Sequence, residues 1–141
     1  MLANNPDAMY SEILERFRLG QKHSGADYVA AWAALEAVRV AYDQATAGFD
    51  AILLPTSPIL PPNLERLNND HGYYVSENLM ALRNTRIANL MGLCALTVPT
   101  GDPSCGLTLM GSHGMEEAVL RLGVGVSEAL AQKSQKGTKL V

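Results

Sequence analysis

At 141 residues, 48% apolar and 18% charged, the chain is expected to be one ordinary globular domain, not a disordered or fibrous polymer. Its formal net charge of −3 supplies no basic field for nucleic acid, and no run of eighteen apolar residues offers a membrane span. Two cysteines, and an opening MLANNPDAMY without a basic start or a long apolar run, lead us to expect a cytoplasmic protein rather than an exported one.

A first helix is expected in NNPDAMYSEILERFRLGQ. Asn5 can cap it, Pro6 suits the first helical position, Asp7 favours the dipole and Gly20 ends it, with Met9, Ile13 and Phe17 on one face. A second, longer helix follows in SGADYVAAWAALEAVRVAYDQATAG. Ser24 and Asp27 have the spacing of a capping box, Tyr28, Trp32, Leu35, Val38 and Tyr42 form a stripe, and Gly48 stands where a left-handed cap belongs. Its many alanines suggest close packing on more than one side.

Ala51 to Leu54 is an unbroken apolar run, as in a strand buried on both faces of a parallel sheet. Four prolines between residues 55 and 62 then force an extended loop. A third helix is expected from about Ser76 to Gly92, with Leu79, Leu82, Ile87 and Leu90 on its apolar side. ALTVP (95–99) and GLTLMG (106–111) read as strands joined by a turn over Thr100 to Ser104. The last helix carries Met115, Val119, Leu122, Val126 and Leu130 as a stripe. Its interior glycines, Gly123 and Gly125, each cost about 1 kcal/mol relative to Ala, so the close approach of another backbone is expected against them, the alternative being a locally weak exposed helix. The domain is taken as 1–131, with 132–141 a flexible polar tail.

Candidate chemistry is sparse. Cys105 and His113 could pair as thiolate and base, but about seven residues of strand would hold them more than about 20 Å apart. Cys94 lies in an apolar stretch and reads as an inert thiol. His23, His71 and His113 have no metal-ligand spacing, and TGDPSCG leads into a strand, unlike a phosphate loop, so no metal and no cofactor are expected. Ser57 and Ser104 follow strands, where active sites often form, yet neither has a GxSxG frame or a base placed beside it. Ser104 therefore reads as a turn residue.

RFRLGQKHSGADYVAAW, FDAILLPTSP, ALRNTRIANLMGLCALTVPTG, SCGLTLMG and EEAVLRLGVGVSEAL, in this order, resemble the C-terminal third of the amidase signature family; NLMGLCALTVPTG is the most specific of them. The resemblance implies an α/β fold, here a partial mixed sheet flanked by helices. It also implies carboxamide hydrolysis by a serine nucleophile, a second serine with a cis peptide bond, and a lysine. In the family these belong to a Gly/Ser-rich segment and a lysine that precede the matching stretches. This chain has no Gly-Ser-Ser-Gly-like run, and its lysines are Lys22, Lys133, Lys136 and Lys139, so none of its residues is assigned as catalytic.

Two departures bear on the pocket. Cys94 replaces a proline that many relatives carry. Leu82 stands where glutamine-using amidotransferases of the family place an acid, which argues against a free amino acid as substrate. Thr56, Ser57, Asn84 and Thr85, near strand ends, are the candidates for substrate contact in a full-length protein. The expected function is that of a C-terminal amidase fragment, inactive alone; a non-catalytic interaction or regulatory module and one half of a split enzyme are the alternatives. Expected partners are a small-molecule amide in the full-length context and either a second copy or a complementing amidase N-terminal chain, with no nucleic acid and no membrane.

Overall fold

The computed structural model describes residues 9–137, with side chains to residue 132. The chain divides into two units, Met1–Val38 and Arg39–Val141, the boundary falling within one helix. In the first unit α1 occupies Ser11–Leu19 and runs into a single 3-10 turn, Gly20–Lys22. Gly20 keeps right-handed helical angles, so the helix tightens there before it ends at His23. Asn5, Pro6 and Asp7, expected to start this helix, lie outside the described residues.

Helix α2, Gly25–Thr46, begins as its sequence dictates. Ser24 Oγ accepts from Asp27 N at 3.1 Å, and Asp27 Oδ2 accepts from Ser24 N at 2.8 Å, which satisfies two of the amides that a helix start leaves open. The shorter Asp closes the box as a Glu would. The expected stripe does not become a buried face: Tyr28, Trp32 and Val38 are exposed, and no α2 residue is buried. Tyr28 and Trp32 meet edge to face at 6.2 Å instead. Nor does Gly48 adopt the left-handed cap; among the described residues positive φ falls on Gly92, Gly101, Gly114 and Ser104.

The second unit is built on three strands, β1 (Ile52–Pro55), β2 (Cys94–Pro99) and β3 (Gly106–Gly111). β3 is central, and both neighbours pair with it antiparallel, Leu53 opposite Leu109 and Leu96 opposite Leu109. The α/β fold class is therefore observed, but β1 is not a strand buried on both faces. It is an edge strand with Leu53 53% exposed, since its strand partner lies on one side and, among the described residues, no helix covers that side chain.

α6, Glu116–Gly137, packs on β2 and β3. Val98, Leu109 and Val119 form the core there, with Leu96, Leu122, Val126 and Leu130 packed around them. Gly123 explains itself in this interface: a Cβ at that position would collide with Leu96 Cδ2. The neighbour is a side chain, not the backbone that the sequence suggested. At Gly125 a Cβ would meet nothing within 4 Å. The backbone of α6 extends into the segment expected to be a flexible tail.

Between β1 and β2 the chain makes three short helices, α3 (Leu64–Asn69), α4 (His71–Ala81) and α5 (Thr85–Met91). Asn63 caps α3 through Arg66 N at 2.9 Å, and Asp70 caps α4 through Tyr73 N at 2.9 Å. Arg66 lies over the Tyr73 ring, 4.0 Å from its centroid, which fastens the corner between them. The single helix expected from Ser76 to Gly92 is thus two, broken after Ala81. α5 closes on Gly92 at φ 71°, and Arg39 Nε donates to Leu90 O at 2.8 Å, occupying a carbonyl that the helix end leaves open.

Candidate active-site corner

The four predicted contact residues come from two segments that meet at the end of β1. Thr56 continues the ladder by one bond, its N–H donating to Gly106 O at 2.8 Å. Asn84, 29 residues beyond Pro55, sends Nδ2 to Pro55 O at 2.7 Å, which brings the start of α5 against the strand end. Thr85 then donates to Leu82 O at 3.3 Å, and Ser57 Oγ accepts from Ile59 N at 3.4 Å. All four take part in hydrogen bonds that fix this corner, Thr56 through its backbone N–H and Asn84, Thr85 and Ser57 through their side chains.

Beneath it lies a cluster that sequence reasoning did not single out. Thr56, Thr97 and Thr108 bring their hydroxyls together at 2.8, 3.1 and 3.4 Å. Thr97 and Thr108 are register partners on β2 and β3, and Thr56 follows β1 on the same face, opposite the one that α6 covers. Thr108 is buried, and no buried side-chain polar atom among the described residues lacks a partner. The signal was present in the sequence as Thr at matching positions of LTVP and GLTL, but it becomes readable only once the register is known.

On the α6 face of the same sheet end, a cleft of about 540 Å³ is lined by Pro55, Leu107 and Leu130, with Thr100, Asp102 and Cys105 among its polar residues. Asp102 belongs to the turn between β2 and β3, whose amides close by Cys105 N to Asp102 O at 3.2 Å. Ser104 occupies the left-handed region of that turn at φ 61°. Cys94 donates its thiol to Ser112 O at 3.2 Å, half-buried beside the core, while Cys105 is exposed. Leu82, the apolar residue that argued against a free amino acid as substrate, is exposed where α4 ends.

Nucleophilic attack by a serine requires a proton acceptor at hydrogen-bond distance from its hydroxyl. Among the described residues no such base bonds Ser57 or Ser104. No group of three or more His, Cys, Asp or Glu among them is placed to hold a metal ion, and no helix is long and apolar enough to cross a membrane.

The family model described as Amidase matches residues 1–120. The chain is similar to the 2-amino-5-chloromuconic acid deaminase of Comamonas testosteroni, 31% identical over 124 residues that are 85% of this chain and 27% of that protein. It is 33% identical over 95 residues to a glutamyl-tRNA(Gln) amidotransferase chain of Halobacterium salinarum, covering 64% of this chain and 21% of that one. With the fatty acid amide hydrolase of Oryza sativa subsp. japonica it shares 31% over 117 residues, 78% of this chain and 19% of that enzyme. It spans about a fifth to a quarter of the length of these relatives. With residues 1–120 matched by the family model, the chain belongs to the amidase family.

Proposed function

We propose that this chain forms the C-terminal part of an amidase, hydrolysing the C–N bond of a small carboxamide in the cytoplasm, and that it does not catalyse alone. The serine nucleophile, the second serine and the lysine come from an amidase segment outside residues 1–141. Thr56, Ser57, Asn84 and Thr85 face the substrate as one wall of the pocket, with no nucleic acid, membrane or metal involved. The observation that carries this reading is the Asn84 bond to Pro55 O. It gathers polar groups from two distant segments at one strand end, while the serine among them meets an amide rather than a base. Such a corner can orient an amide but has nothing to activate a hydroxyl.

The test is complementation. The purified chain should turn over none of a panel of simple aliphatic and aromatic amides. Co-expression with the part of the Comamonas testosteroni relative that lies outside its match to this chain should yield amide hydrolysis. Turnover by the chain alone that is abolished by Ser57→Ala or Ser104→Ala would overturn the proposal.

A further inference from the structure

α6 covers only part of its face of the sheet. It lies on β2 and β3, while β1 carries Leu53 53% exposed and Phe49, just before it, 69% exposed. Between α6 and β1 runs a groove of about 300 Å³, lined by Phe49, Leu53, Leu109, Leu122 and Val126. A sheet face with an apolar strand at its edge is stable when a further element covers it. Gly125 follows Leu122 by three residues and so stands on the same flank of α6, where it weakens the helix and where, among the described residues, a Cβ would meet nothing within 4 Å. The three relatives compared above are about four to five times longer than their match to this chain. They therefore hold ample chain to supply the missing element.

We infer that this groove seats an apolar-faced helix of the complementing amidase segment, laid beside α6 over β1, with Gly125 allowing its backbone to come close. The inference rests on the reading of the chain as part of an amidase. It specifies which surface joins the two parts and makes α6 a shared layer of both. The glycine then serves the joined protein at the expense of the isolated one.

The experiment measures binding of the same Comamonas testosteroni segment to the full chain by titration, together with hydrogen exchange. Gly125→Leu should raise the melting temperature of the free chain by about 3 °C, because it replaces a poor helix former in open space. It should also weaken association at least tenfold. Leu53→Asp should weaken association as much, whereas Val124→Asp, exposed on the opposite flank of α6, should leave it unchanged. Binding should slow exchange in β1 and along α6. Association that Gly125→Leu and Leu53→Asp leave intact overturns this inference alone. Absence of association by the wild-type chain overturns the complementation reading as well. Light scattering that shows a dimer of this chain, dissolved by Gly125→Leu, assigns the groove to a second copy and overturns the inference too.

Discussion

Gly123 and Ser104 show how much a single position depends on its neighbours. Gly123 is one of two glycines inside one helix, yet only it faces a filled space, the Leu96 methyl that rests in the core with Val98 and Leu109. Gly123→Ala should therefore destabilise the chain by about 1–3 kcal/mol, because Leu96 must leave its place against α6. Urea melts that show no loss would mean that this interface is looser than described. Ser104 carries the opposite lesson. Its left-handed angle belongs to a closed turn in which Thr100 Oγ1 also donates to Cys105 O at 3.2 Å. A serine in such a turn is a conformational choice, since its left-handed angle is what the closed turn requires.

Helix starts set the behaviour of the elements. Hydrogen bonds from the Ser24 amide and hydroxyl hold the Asp27 carboxyl below its usual value, and the Tyr73 amide, assisted by Arg66, does the same for Asp70. Both groups titrate lower in the folded chain than in the unfolded one, so their contribution is fully present above the unfolded value near about 4 and is lost as pH falls through the lowered one. Amide resonances of Ser24 and Tyr73 should stay fixed from neutral pH to about 4 and shift only in stronger acid. Asp27→Asn and Asp70→Asn should remove that dependence while keeping an accepting oxygen at the cap. The same elements show what the sequence discloses. Ser24 and Asp27 announce α2 because a capping box is local, and the β3 limits follow from the glycines at 106 and 111. The break after Ala81 has no proline or glycine to mark it. It is set by Asn84 reaching a carbonyl 29 residues away, a contact invisible until β1 is placed. The apolar run before Pro55 likewise shows a strand but not how many of its faces are covered. Of the site, the residue types at strand ends were legible, while the threonine cluster required the register.

For the molecule as a whole, the position of β3 between its neighbours has a temporal consequence. β2, β3 and the first half of α6 are contiguous in the chain and contain Val98, Leu109 and Val119, so the core closes through contacts that are near in sequence. β1 joins the same central strand only after more than 50 residues have looped back, Ile52 to Met110. Short loops close at less entropic expense than long ones, so the hairpin with its helix should assemble first and β1 should arrive late. Native-state hydrogen exchange should then find the slowest amides in Leu96, Val98 and Leu109 and visibly faster ones in β1. Equal protection of all three strands would contradict that order. A chain whose last strand to dock is also an edge of its sheet should present that strand to other molecules for longer than its two sheet neighbours, both while it folds and each time it breathes.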